Sequence, residues 1–482
     1  MESWEASTWA VGEFGRSELG HAARTKRLVQ VAAGLIRSPA VSIPKTITDP
    51  AQAKAAYRFM SNPKVTVEGI LSGHVRATAR RSLRHLVVLV AQDTTTLTFK
   101  HRAETPGLGP VNDIASTQGL LAHSSLAIAR DSHEVLGVLH QHTWTRSKDK
   151  KPAKETAAER KKRERESEHW GDNQQHVAEA IAQAAMEDKL PAPRIIAVFD
   201  REGDIFEAME KLDALGHSFV IRAQHNRLLD TDAEGKHYSL DEVRAAPVLA
   251  HKTVNIRAYA GRPARVATLE VRAMAASFKP PRNRGRKGDS LSVNIVLAQE
   301  VNPPAGVNPL CWYLVTREPI STEAEVLDVV RDYEARWTIE EFHMGLKTGC
   351  GCEHRQMETA HALKNFVAIA TPMACALLQL RDAARRDTPI DQCTMLSSTE
   401  MAVVRGQRPR AMAKVTTARQ LMRVVANFGG FLNRNTDPDP GWRTLWRGFE
   451  EIKLAATGYQ LHAQTCGGPS STPTPTGFRL RK

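Results

Sequence analysis

The 482-residue chain is 41% hydrophobic and 25% charged, a globular balance that is neither disordered nor membrane-embedded, with length enough for two or three cored domains. Lysine and arginine outnumber the acids 66 to 53, giving a net charge of +13 and a pI of about 9.5, which points to a polyanionic partner without specifying any chemistry. Six cysteines over this length exclude a disulfide framework. No N-terminal stretch pairs a basic region with an apolar one, so a reduced, cytoplasmic setting without a secretory signal is expected.

Residues 1–70 read as a module of short helices. The stretch from Gly20 to Ile36 has apolar residues at helical spacing and carries Arg24, Lys26 and Arg27 near its start. A second helix, Ala51 to Met60, holds Arg58 and stops at Asn62-Pro63. A compact basic module suits DNA contact, although basic faces are common on any helix surface. His85 to Ala91 is then a short continuous apolar run, the pattern of a buried central strand, and leads into Gln92-Asp93-Thr94. Ser124–Ala129 and Val135–Leu139 read as a hairpin around Arg130–Glu134. A charged segment, 148–168, reads as a solvated helix or loop. A helix over about 172–186 leads to the apolar strand Arg194–Phe199, and this too runs into an acid, Asp200.

From about 218 to 316 the pattern alternates as strands do, through Phe219–Ile221, His251–Ile256, Ala267–Arg272, Ser292–Leu297 and Cys311–Thr316, with a basic stretch at 279–287. Helices return over 322–347 and 361–385. The run Asn365–Leu380 is too short to span a bilayer and contains Pro372, so it reads as a buried helix. Residues 386–466 form a further helical region, and 467–482 is a Pro/Ser/Thr-rich tail expected to be disordered. Cys350-Gly-Cys352 with nearby His354 has no second pair at ligand spacing and is not read as a zinc site.

The chemistry sits in the acids. Two buried strands each lead into an aspartate, Asp93 and Asp200, and a later helix carries Glu340. An isolated aspartate after a strand more often caps a turn than does chemistry. Three carboxylates in one site, by contrast, require a compensating charge, which a divalent ion provides. On a continuous helix at about 100° per residue, Tyr333, Arg336, Glu340 and Lys347 fall within an arc of roughly 60°. That arc reads either as a solvated salt-bridge stripe or as an acid held among cations that face a polyanion.

Tyr333-x2-Arg336-x3-Glu340-x6-Lys347 resembles the Y-R-E-K signature of the insertion-sequence-four family of bacterial DDE transposases. The resemblance extends through Gln92–Leu97, Asp200–Ile205, Trp337–His343 and Lys347–Glu353, and thus over nearly the whole chain. It implies an α/β fold: a ribonuclease-H-like catalytic core over 71–385 with a β-rich insertion at about 218–316. Helical domains flank it, DNA-binding at 1–70 and dimerising or synaptic at 386–466. The resemblance assigns Asp93, Asp200 and Glu340 to two Mg²⁺ ions, with Mn²⁺ as substitute. It assigns Tyr333, Arg336 and Lys347 to DNA phosphates, Trp312 to a flipped base, and Arg222, Arg24, Lys26, Arg27 and Arg58 to end DNA. The implied activity is cut-and-paste transposition. The protein would bind terminal inverted repeats, nick with water, form and open a hairpin, and join the 3′ ends to target DNA as a homodimer. The setting would be bacterial and nucleoid-associated, with no membrane. A nuclease without strand transfer and an inactive DNA-binding regulator are the competing readings.

Overall fold

The computed structural model describes residues 5–99, 104–111, 117–147, 166–256, 264–281, 289–393, 395–434 and 436–466. Most of the charged segment 148–168, most of the basic stretch 279–287 and all of the tail 467–482 lie outside the described residues.

The N-terminal chain folds as α1 (Ala6–Phe14), α2 (Ala22–Leu35), α3 (Ile43–Thr46), α4 (Pro50–Met60) and α5 (Val67–Ser82). His21 caps α2 by accepting the Ala23 amide at 3.1 Å, and the helix buries Leu28, Val31, Ala32 and Leu35. Asp49 caps α4 in the same way, with Pro50 in the first turn, where its missing N–H costs nothing.

Next come the strands β1 (Val87–Thr98), β2 (Gly109–Pro110), β3 (Gln118–Ala129) and β4 (Val135–Trp144) and the helix α6 (His169–Asp188). They are followed by β5 (Arg194–Phe199), α7 (Phe206–Ala214), β6 (Ser218–Arg222), α8 (Ser239–Ala245) and the strands β7 (Val248–Ile256), β8 (Arg265–Phe278), β9 (Leu291–Val301) and β10 (Cys311–Thr316). All ten strands join one sheet in the order β2-β3-β1-β5-β6-β10-β9-β8-β7, with β4 also on β3. β1, β3 and β4 form an antiparallel meander, whereas β5 and β6 run parallel to β1. β6, which the sequence groups with the strand-rich region, thus pairs parallel with β5, and β10, β9, β8 and β7 extend the sheet antiparallel beyond it.

The apolar runs explain the central position of β1 and β5. Val88 and Val90 are buried with Ala79, Leu83, Leu136, Val177 and Ile181. Ala197 and Phe199 are buried with Phe206, Met209, Phe219 and Ile295. One expectation changes here. β1 does not stop at Asp93 but continues to Thr98, because β3 pairs with it through Thr98↔Gly119 and the β-branched Thr94–Thr96 suit the ladder. What stops is the parallel pairing with β5, whose last pair is Ala91↔Val198.

The helix expected over 322–347 is divided into α9 (Glu323–Ala335) and α10 (Trp337–Met344). A Thr322/Glu325 capping box starts α9. The chain tightens at Arg336, whose amide bonds to Tyr333 O at 3.1 Å, and then widens into a π-helical turn at Gly345–Gly349. The glycines permit that turn. A Cβ on Gly345 would lie 3.3 Å from Ala374 Cβ, and one on Gly349 would lie 2.6 Å from Leu377 Cδ1.

The remaining helices are α11 (Ala360–Ala383), α12 (Ser398–Gln407), α13 (Pro409–Met412), α14 (Ala418–Phe428) and α15 (Trp442–Cys466). The most apolar window of α11 is 94% buried, as expected of a helix apolar on every side. Asn365 on it donates to Met60 O and Val65 O, and Arg355 donates to Pro39 O, Val41 O and Cys350 O. The chain forms two compact units, one of residues 1–73, 344–357 and 361–482, the other of 74–343 and 358–360. The boundary read at 385 falls within the helical unit, where α11 meets residues from both ends of the chain, Met60 and Val65 among them.

Candidate active site

Asp93 and Asp200 each lie two residues past the last parallel pair, Ala91↔Val198, and so share a level where the two strands separate. Asp93 is 8% exposed, and its Oδ1 accepts the Thr94 amide at 2.8 Å. Asp200 begins a short turn over Arg201–Gly203, and its Oδ1 accepts the Glu202 amide at 2.8 Å, so the capping role is real. The second Asp200 oxygen is not used by that cap. Glu340 comes from the first turn of α10.

The electrostatics are strained. Burial first, then the charges of Asp200 and Glu340, push Asp93 up to about 7, against the opposing pull of Arg336 and the Thr94 amide. Burial disfavours the charge on Arg336, but Tyr333, Asp200, Asp93 and Glu340 outweigh it and raise its pKa. Arg336 Nη1 and Nη2 both lie 3.4 Å from Glu340 Oε1. A guanidinium thus sits within the carboxylate group and offsets only part of its charge.

The structure brings in a residue that the sequence reading passed over. One ligand atom each from Asp93, Glu340 and His343 lies within 4.8 Å of the other two, the arrangement of groups that can share a cation. His343 is buried, with Nδ1 3.6 Å from Asp93 Oδ2. Asp200 is outside this cluster and acts on Asp93 through its charge. The missed signal was the spacing: Glu340 and His343 are three apart on one helix and share a face.

Beneath Asp93 runs a buried polar chain. Thr94 Oγ1 lies 2.8 Å from His123 Nδ1, His123 Nε2 lies 3.1 Å from Gln92 Oε1, and Gln92 donates to Gln174 Oε1 at 2.9 Å. Gln174 Nε2 continues to His217 Nδ1 at 2.8 Å. With both imidazoles neutral every link has one donor and one acceptor, and burial holds His123 well below its ordinary value and His217 at about 4.

The other expected contacts are distributed. The rings of Trp312 and Tyr333 meet edge-on at 5.6 Å, and the Arg336 guanidinium lies 5.9 Å from the Tyr333 ring centre. Tyr333 is only 5% exposed, so it supports Trp312 and Arg336 more than it faces solvent. Arg222 donates to Cys311 O at 3.2 Å beside half-buried Trp312. Lys347 lies in the π-helical turn and belongs to the helical unit, so the four residues expected on one continuous helix are spread over α9, its C-cap, α10 and that turn. Arg24, Lys26, Arg27 and Arg58 are on α2 and α4. Arg24 donates to Leu19 O at 2.6 Å and Arg27 to Gln52, while Lys26 and Arg58 are exposed. Cys350 and Cys352 are buried thiols that burial pushes up, Cys352 to about 12.

Residues 6–65 match the family model described as Transposase DNA-binding, and residues 398–465 match that of the Transposase Tn5 dimerisation domain. Neither match reaches Asp93, Asp200 or Glu340. Among solved structures, the cryo-EM structure of piggyBac transposase synaptic complex with hairpin DNA aligns at 9% identity and a TM-score of 0.34. That alignment covers 95% of this chain and 73% of the other.

Proposed function

We propose, on the premise that the two terminal matches support a Tn5-like transposase with DNA and a second copy of itself as partners, that Asp93, Asp200 and Glu340 are its catalytic triad. The reaction is cut-and-paste transposition by the DDE route of the insertion-sequence-four family. The observation that carries this reading is the carboxylate cluster at the strand separation, where burial, then repulsion from Asp200 and Glu340, holds Asp93 at about 7. The order β4-β3-β1-β5-β6, a meander followed by two parallel strands, supports a ribonuclease-H-like core.

The carboxylates fit divalent metal, because an added positive charge relieves their repulsion and oxygen donors suit Mg²⁺ or Mn²⁺. When bound, such ions activate an attacking oxygen and stabilise a leaving one. The chain's own residues do the positioning. Arg336 meets a backbone phosphate beside the cleaved bond, and Tyr333 holds Arg336 and Trp312 in place from beneath. Trp312, near the start of β10 beside Arg222, receives a base displaced during hairpin formation, where stacking offsets part of the cost of unstacking. Lys347, Arg24, Lys26, Arg27 and Arg58 add phosphate contacts from the helical unit.

The test is a denaturing-gel cleavage assay on DNA carrying the element's own terminal sequence, with Mg²⁺ or Mn²⁺, comparing wild type with Glu340→Gln. Metal-dependent nicking at the element boundary followed by a hairpin, both absent in a variant that still binds the end, is the expected result. Binding without cleavage in either protein points to the regulator. Cleavage without boundary preference points to a plain nuclease.

A further inference from the structure

The carboxylate cluster contains a nitrogen donor. His343 lies three residues after Glu340 on α10, and its buried ring faces β1, with Nδ1 3.6 Å from Asp93 Oδ2. Among the described residues, Asp93, Glu340 and His343 are the one group of three or more whose ligand atoms lie mutually within 4.8 Å. A Glu-x-x-His pair on one helix is a recurrent way to present an oxygen and a nitrogen to the same ion. Asp200 lies outside this group but still raises the Asp93 pKa by its charge, so the carboxylates around Asp93 are not equivalent: Glu340 comes with an imidazole and Asp200 does not.

We propose that His343 is an inner-sphere ligand of the cation held between Asp93 and Glu340, so that the triad's two metal positions are chemically unequal. This rests on the metal-binding reading of the carboxylates. The position on the Asp200 side has oxygen donors only and suits Mg²⁺. The position on the Glu340 side has a mixed set, and an imidazole nitrogen favours a first-row transition ion over magnesium, whose preference is for oxygen. The burial of His343 beside β1 fixes its ring direction before any ion arrives, so the selectivity is built into the packing of α10 on the sheet.

The experiment is pulsed electron paramagnetic resonance of Mn²⁺ added to the full-length chain. The expected result is a nitrogen hyperfine coupling from a ligated imidazole, which changes when the histidines carry heavy nitrogen and disappears in His343→Gln. Calorimetric titration of the same variant should show Mn²⁺ affinity lowered roughly tenfold, with Mg²⁺ affinity lowered less. Mn²⁺ that binds in an Asp93-dependent manner without a nitrogen coupling overturns the assignment of His343 and leaves the carboxylate reading intact. A coupling that persists unchanged in His343→Gln also overturns it. Mn²⁺ binding that is identical in wild type and Asp93→Asn instead removes the metal-binding reading itself. If His343→Gln folds poorly, the wild-type spectrum still tests the proposal, because Asp93-dependent Mn²⁺ without a nitrogen coupling overturns it.

Discussion

The carboxylate cluster of the sheet unit and a buried cation of the helical unit hold charge in opposite ways. At Asp93 a buried carboxylate is repelled by two others and only partly compensated, whereas in the helical unit the buried Arg355 guanidinium meets carbonyl acceptors at both Nη atoms and leaves only Nε without a hydrogen bond. It donates to Pro39 O, Val41 O and Cys350 O and lies 4.4 Å from the Phe366 ring centre. One arrangement stores repulsion that a ligand can release; the other closes on itself. A buried charge bonded through most of its polar atoms is a structural device, while a cluster of mutually repelling carboxylates in a defined place is a candidate for chemistry.

The largest expected effect breaks the comparison at its centre. Asp93→Asn should reduce end cleavage below detection while raising the unfolding temperature at pH 8, because a buried, repelled carboxylate becomes neutral. A variant that cuts normally, or one that is destabilised, would contradict the strained-site reading. The converse applies to Arg355→Ala, which strands three carbonyls and should cost on the order of 3 kcal/mol. Hydrogen exchange should show the loss in α11 and the segment around Pro39, and uniform exchange across that unit would count against the clamp.

Acid provides a gentler probe. Burial, with neighbouring histidines contributing for the first two, holds His123 well below its ordinary value, His140 at about 3 and His217 at about 4. The unfolded chain takes up these protons near pH 6.5, and the folded chain resists them. The histidine contribution to the sheet unit's stability should therefore be full above that pH and fall as pH drops from about 6.5 toward 4, offset in part by Asp93, whose raised pKa adds stability as pH falls below about 7. A denaturant midpoint independent of pH in that window would remove the buried polar chain from the account. The smallest effect is Arg336→Ala, which should lower the salt-dependence slope of end-DNA binding by about 1. An unchanged slope would confine Arg336 to balancing its own carboxylates.

Much of this was legible along the chain. The runs His85–Ala91 and Arg194–Phe199 marked the central strands because a strand covered on both faces must be apolar throughout. Helix α2 follows from apolar spacing, α4 from its stop at Asn62-Pro63, and α11 from the apolar run Asn365–Leu380. The extent of β1 past Asp93 was not legible, since it depends on how far β3 pairs. Nor was the break near Arg336, where the hydrophobic period continues while the backbone tightens and then widens. His343 was visible as a letter but not as a ligand, because its meaning depends on β1 placing Asp93 opposite it.

The sequence by itself determined which residue types carry chemistry, which segments are helices or strands, and the basic character that calls for a polyanion. Those properties are local, set by side-chain charge, spacing and propensity. Only the tertiary structure decided that Asp93 and Asp200 stand level where two strands part, that Glu340 and His343 converge on one of them, and that Lys347 belongs with the helices. These depend on strand register and on the π-helical turn after α10, which residues distant in the chain enforce through pairing and close packing.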